Sequence, residues 1–240
     1  MSRNAEFDHY AQNYDELLRI PLRQGFVQDG SFFHLRKWIL IANFLQRHSI
    51  QAGELSWLDV GCGKGELLRY GRSHFRSVAG CDPSQEMVRD VEGLEVHRQE
   101  APAALPFANA SFDFVTAVCV YHHVGEPHRI PLTLEIKRIL RPAGIFCMIE
   151  HNPFNPVTQI IVKRCPVDVG ARLLTSWSAR VYTGNAGLTH IETQYFLYLP
   201  EKYYAKLPVV EGYLSRLPLG GQYAMFSRKC LDHPNPALAL

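Results

Sequence analysis

The six cysteines (Cys62, Cys81, Cys119, Cys147, Cys165 and Cys230) include no CxxC pair and no Cys/His group at zinc-finger spacing. That leaves neither a structural metal knot nor a disulfide framework, and the six read as reduced thiols. An imbalance of charge is also missing: 25 Lys and Arg face 23 Asp and Glu, a net charge of +2. With its basic residues dispersed, such a chain carries no nucleic-acid footprint. The polar start MSRNAEFDHY has no apolar leader region, and WILIANFL at 38–45 is too short and too closely flanked by Arg and Lys to span a bilayer. There is no internal repeat and no low-complexity tract. The expectation is a cytoplasmic protein with no integral membrane segment, no nucleic-acid partner and no metal site, and with one core over its 240 residues.

What is present is concentrated in WLDVGCGKGEL at 57–67 and CDPSQEM at 81–87. Leu58 and Val60 belong to a buried strand. Gly61, Gly63 and Gly65 permit a sharp turn and close approach of a ligand, and a helix follows. Asp82 comes about 20 residues after Gly61, the spacing at which a carboxylate on the next strand tip accepts ribose hydroxyls. The glycine pattern is GxGxG, with Glu66 in the slot where a dinucleotide fold would place its third glycine. A pyrophosphate favours helix-terminal N–H groups without nearby anions, whereas Asp59 and Glu66 flank this turn. Two acids suit a cationic nucleotide better, which disfavours a dinucleotide oxidoreductase.

Around this unit, helical spacing at 5–20 and 31–49 precedes strand-like runs at 56–61, 77–82, 94–99, 112–120 and 144–150, with helical stretches between most of them. Pro142 and Gly144 end the helix EIKRIL and turn the chain into the fifth strand. Such alternation specifies an α/β fold, a doubly wound parallel sheet with ligands at the carboxyl ends of its strands. After Glu150 the rhythm breaks at HNPFNPVTQIIVKRCPVDVGARLL, before a helix near 176–186 and a strand near 190–198. The stretch 201–221 precedes a last strand, QYAMFSRK. The apolar content of both irregular stretches suits a cover over the carboxyl end of the sheet, or equally helices packed on its flank.

The run from 57 to 150 resembles the class I S-adenosylmethionine-dependent methyltransferases. The resemblance implies a Rossmann-like, three-layer α/β/α sandwich of about seven strands, mostly parallel with an antiparallel last strand, the last two strands pairing antiparallel at one sheet edge. It also implies one domain: an N-terminal helical cap over 1–55, a cofactor-binding core over 56–150, and a substrate cover with the terminal strands over 151–240. S-adenosyl-L-methionine is the implied cofactor. Carried onto this chain, Gly61, Cys62 and Gly63 lie against its methionyl part, Asp59 orients its ammonium and Asp82 takes the ribose hydroxyls. Pro83 and Ser84 shape the turn. Met87 lies on the adenine face or fills core. The adenine edge meets the backbone of Ala101 and the side chain of Glu100, unless Glu100 is a solvated charge. Cys119 and Val120 meet the methionyl moiety at the end of the fourth strand. FDHYAQNYDELL resembles a family lid that brings Tyr10 and Tyr14 near the reaction centre. The alternative for both rings is packing against the sheet.

Methyl transfer to oxygen or carbon needs a proton acceptor, and histidine is the natural base near neutrality. YHHVGEP places His123, then His122, at the end of the fourth strand, and Glu150 and His151 end the fifth. His123 is the first candidate for the base, with His122 and Glu150 behind it. The expected reaction is transfer to a small-molecule acceptor, an oxygen of a metabolite, sugar or lipid-linked intermediate, by a monomer or homodimer. The rivals are a non-catalytic cofactor-binding regulator or scaffold and a methyltransferase acting on a protein or peptide.

Overall fold

The computed structural model describes residues 4–18, 20–27, 30–89 and 91–231. The tips of the expected cap and cover, residues 1–3 and 232–240, lie outside the described residues. The strands are β1 Ser56–Val60, β2 Ser77–Asp82, β3 Glu95–Arg98, β4 Phe112–Val118, β5 Leu140–His151, β6 Leu188–Phe196 and β7 Gln222–Lys229. The α-helices are α1 Asn4–Tyr10, α2 Tyr14–Leu17, α3 Pro21–Gln24, α4 Ser31–Arg47, α5 Glu66–Gly71, α6 Gln85–Arg89, α7 Glu126–Ile139, α8 Pro156–Arg164, α9 Ser176–Asn185, α10 Glu201–Tyr204 and α11 Pro208–Leu214.

The seven strands form one sheet in the order β3-β2-β1-β4-β5-β7-β6, with β7 antiparallel to both neighbours and the rest parallel. This is the Rossmann-like arrangement expected. Alternation along each strand sends successive side chains to opposite faces. In the paired registers Trp57↔Phe114 and Leu58↔Val115, the first pair joins one core and the second the other. On the first face Phe44 of α4 stacks on Phe226 of β7, with centroids 3.7 Å apart, and Trp57 Nε1 donates to Thr116 Oγ1 at 2.9 Å. On the second face Leu132 and Ile136 of α7 pack beside Phe146 and Met148.

Three local expectations change. The helical run at 5–20 is broken into α1 and α2, and α3 follows. Turns separate them, and Pro21 opens α3 with Ile20 held extended before it, the geometry that a following proline favours. The helix containing EIKRIL reaches back to Glu126 and accommodates Pro131. Pro142 and Gly144 lie inside β5, where the pairing jumps from Phe112↔Leu140 to Phe114↔Ile145 and Ala143 takes φ 63°. The breaker residues there make an irregularity within a strand.

The two irregular stretches are tied to each other. Asn152 Nδ2 donates to the carbonyls of Pro218 and Gly220 at 2.9 and 2.8 Å, and Asn155 Nδ2 donates to Leu219 O at 2.7 Å. Asn155 also caps α8 by accepting from Thr158 N. The stretch at 201–221 braces the flank of α4, where Arg36 pairs with Glu211 and its guanidinium lies 3.6 Å from the Tyr204 ring centroid.

Candidate active site

A cavity of about 2130 Å³ opens over the carboxyl ends of β1, β2, β4 and β5. The glycine turn forms its floor. Gly63 takes φ 54° and a Cβ there would meet nothing within 4 Å, so this backbone faces open space. Gly61, at φ 71°, differs: its added Cβ would lie 2.4 Å from Val120 Cγ2. The absent side chain at Gly61 therefore serves packing of β1 against the end of β4, whereas Gly63 is the point where a ligand gains access.

Asp82 lies beside this turn. Its Oδ2 accepts from Gly63 N and its Oδ1 from Ser84 N, both at 2.9 Å, so the carboxylate organises the loop and keeps lone pairs for a ligand. Burial pushes its pKa up to about 6 against those two hydrogen bonds. Burial likewise pushes Asp59 up to about 7, although Asp59 Oδ1 accepts from Thr116 Oγ1 at 2.6 Å. Both carboxyl groups are held in a state that hydroxyls or a cation would relieve. Cys62, Pro83, Met87, Glu100, Ala101, Cys119 and Val120 line the same cavity. Met87 is both wall and core, with 4 % of its surface exposed. Glu100 stands exposed at the rim. Cys119 adopts φ 57° and its sulfur accepts from Gln222 Nε2 at 3.3 Å. That is a left-handed residue other than glycine at the point where β4 meets the cavity, the kind of position where backbone strain collects.

The N-terminal string expected as a lid is divided between the cavity wall and packing away from it. Phe7, Asp8 and Tyr14 line the cavity; Tyr10 does not, and packs edge-on against Phe7 instead. Burial raises the Tyr14 hydroxyl well above its usual range. Asp8 accepts from Ser84 Oγ at 2.6 Å and so fastens α1 to the loop that carries Asp82. Of 201–221 only Gly221 reaches the cavity; the cover comes from 155–168, with Tyr198 and Pro200 beyond it.

At the ends of β4 and β5 the polar side chains form one cluster. Glu150 is fully buried and does not line the cavity; it accepts from Tyr121 N at 2.7 Å and pairs with His122 Nδ1 at 2.5 Å. Burial opposes charge on His122, but Glu150 and Asp168 outweigh it and push its pKa up to about 10. His122 is thus a buried imidazolium held between two carboxylates. It is a poor base, and Glu150 reaches the cavity only through it. These two assignments are corrected by the geometry. His123 is different: its Nε2 lies 3.4 Å from Asp168 Oδ1, its ring meets Phe7 edge-on at 5.0 Å, and burial lowers its pKa below the usual imidazole value. Burial, then the charge of His122, holds His151 neutral with a pKa of about 4. One atom each of His122, His123 and Asp168 lies within 4.8 Å of the others, a spacing that a metal ion could use. His122 Nδ1 sits on Glu150, while its buried Nε2 lies 3.5 Å from Asp168 Oδ1 without a hydrogen-bond partner.

Residues 58–148 match the family model described as a methyltransferase domain. This segment is a class I S-adenosylmethionine-dependent methyltransferase domain. Its cofactor is S-adenosylmethionine. The chain is 29% identical over 149 residues to 27-O-demethylrifamycin SV methyltransferase of Amycolatopsis mediterranei, covering 58% of this chain and 54% of that protein. It is 32% identical over 111 residues to probable tRNA methyltransferase 9B of Mus musculus, covering 45% and 24%. The chain spans about half the length of the first curated relatives it matches. A solved structure from Thermotoga maritima, described as a SAM-dependent methyltransferase and possible histamine N-methyltransferase, superposes with a TM-score of 0.65 at 18% identity, over 93% of this chain and 98% of that one. That likeness is one of fold.

The methyltransferase domain has the residues to hold its cofactor. The open approach at Gly63 and the strained protonation of Asp59 and Asp82 fit a ligand with ribose hydroxyls and an ammonium. Asp8, Arg23, Lys37 and Asp168 were missed in the sequence. Asp168 sits in CPVD, beyond a proline and far along the chain from the histidines it meets. Lys37 belongs to α4, where its spacing reads as an ordinary helix.

Proposed function

We propose that this protein transfers the methyl group of S-adenosylmethionine to an oxygen of a small-molecule acceptor, with His123 as the group that takes the acceptor's proton. The observation that supports this most is a single cavity joining the Gly63–Asp82 cradle to the His123–Asp168 pair. The bound cofactor supplies an electrophilic methyl on a sulfonium sulfur. The chain supplies the rest: Asp59 and Asp82 anchor the donor, and Tyr14, Phe7 and the 155–168 cover exclude water. Asp168 keeps the His123 ring oriented and stabilises its charge once it accepts a proton, while the His122–Glu150 pair fixes Asp168 from behind. The mild net charge and the lid of short helices favour a small acceptor over a polynucleotide.

The test is release of S-adenosylhomocysteine from S-adenosylmethionine in the presence of pooled hydroxylated metabolites and, separately, of transcript tRNA. Turnover with the metabolite pool supports the reading. Turnover with tRNA alone transfers the site to a nucleic-acid substrate, and cofactor binding without turnover on any acceptor favours a regulatory role.

A further inference from the structure

Two cations on the cavity wall form no ion pair among the described residues, although Lys37 acts on Asp59 and Asp168 on Arg23 from farther off. Lys37 of α4 is 7 % exposed, yet among the described residues its ammonium has no hydrogen-bond or ion-pair partner. Arg23 of α3 makes one side-chain hydrogen bond, to Leu18 O at 3.3 Å, and lies 4.7 Å over the Phe33 ring; it forms no ion pair among the described residues. His34, one helical turn before Lys37, has a buried Nδ1 without a partner. All three line the cavity. They also sense each other: burial, then Lys37 and Arg23, pushes the His34 pKa down to about 3. The neighbouring Arg36 shows the contrast, because its buried guanidinium has Glu211 against it and Tyr204 beneath it. Where this helix buries a charge for structure, the chain supplies the opposite charge.

Cations that line a cavity without an ion pair, beside a buried imidazole nitrogen that has no partner, are open to an anionic ligand. We propose that Arg23, His34 and Lys37 form an oxyanion subsite and that the methyl acceptor carries a carboxylate or phosphate held there. This rests on the methyl-transfer reading and narrows its substrate class. The cofactor brings a single carboxylate, which can neutralise one of the two cations; the second remains for the acceptor. A neutral His34 can donate from Nδ1 to the same oxyanion, and Arg23 offers a planar fork suited to it. An acceptor anchored this way arrives in one orientation, which is the main requirement of an in-line displacement.

Calorimetric titration with inorganic phosphate and with malonate, in the free protein and in protein saturated with S-adenosylhomocysteine, tests the subsite. The expected result is that at least one of the two anions binds the saturated protein, and that Arg23→Gln weakens this binding about tenfold or more while leaving S-adenosylhomocysteine affinity within about twofold. Lys37→Met should leave the Tm of the ligand-free protein within about 2 °C, because this side chain lines the cavity and makes no ion pair that holds the fold. A structurally paired lysine would lower it. No binding of either anion, or equal binding in both variants, overturns the subsite. So does a pattern in which both variants weaken S-adenosylhomocysteine but not 5′-methylthioadenosine, which lacks the carboxylate; the cations would then belong to the cofactor alone. Should S-adenosylhomocysteine fail to bind the unaltered chain, the methyl-transfer reading falls, and titration of the free protein still decides the subsite.

Discussion

Replacing Glu150 by Gln tests the buried charge cluster, and its size follows from the structure. Glu150 and His122 are 0 % and 1 % exposed, and Glu150 holds Nδ1 of the imidazolium while Asp168 faces Nε2. Glu150→Gln preserves shape but leaves His122 with one carboxylate in a site closed to bulk solvent. Breaking a buried pair by removing one partner costs about 3–5 kcal/mol, and in a chain of this size each kcal/mol moves Tm by about 2–4 °C. The expected fall is about 10 °C near pH 7, read by differential scanning calorimetry. The pH dependence carries the sign. The folded pKa of His122 is raised to about 10 from an unfolded value of about 6.5, so its contribution is complete below pH 6.5 and is lost as pH rises from there through 10. Glu150 is depressed, burial notwithstanding, by the charge of His122, so its contribution is present above its unfolded pKa and is lost on acidification. Between pH 6.5 and 10 the Tm of the unaltered protein should therefore decline more steeply than that of Glu150→Gln. A Tm within about 2 °C of the parent, with the same slope over that window, would refute the buried imidazolium.

Three further outcomes follow from the same geometry. His123→Ala should lower turnover by ~10²-fold or more with cofactor affinity nearly unchanged, and the parent's rate should fall on acidification through a pKa below the imidazole reference of about 6.5, since burial lowers it; unchanged turnover and pH profile in steady-state assays would remove it as the base. Gly61→Ala should cost about 1–3 kcal/mol in urea denaturation, because a Cβ there strikes Val120 at a positive φ, and Val120→Ala should recover part of the loss; no recovery would mean the contact is not the cause. Gly63→Ala, at a positive φ but facing open space, should weaken S-adenosylhomocysteine binding more than Gly61→Ala does, as read by calorimetry.

The nucleotide unit was legible because it is local: strand, glycine turn, helix and Asp82 sit within one short stretch, and each residue type has a backbone reason for its place. The parallel sheet followed from alternating strands and helices, and the position of His123 on the cavity wall from its place beside a strand end. The partners of that histidine were not legible. Asp168 reaches it through a proline-rich insertion whose path is fixed by tertiary ties such as Asn152 to Pro218 and Gly220. His122 looked like a base by residue type, and the buried Glu150 on one side of it and Asp168 on the other, which raise its pKa, come from distant parts of the chain. Tyr10 matched a lid pattern, but the break after α1 turns its ring toward Phe7 rather than the cavity. Lys37 could not be told from a surface lysine, since nothing in the helical spacing of α4 marks it as a residue of the cavity wall.

Calorimetric titration of S-adenosylhomocysteine into the unaltered protein and into Asp82→Ala bears most directly on the cofactor site from which the whole account starts. Loss of a carboxylate that accepts ribose hydroxyls and also holds Gly63 N should weaken binding by roughly 2–4 kcal/mol, using about 1.5–3 per charged hydrogen bond with a discount for water. Tight binding by the parent and a loss of that size in the variant is the predicted result. No binding by the parent, or equal affinity in the two, would contradict it.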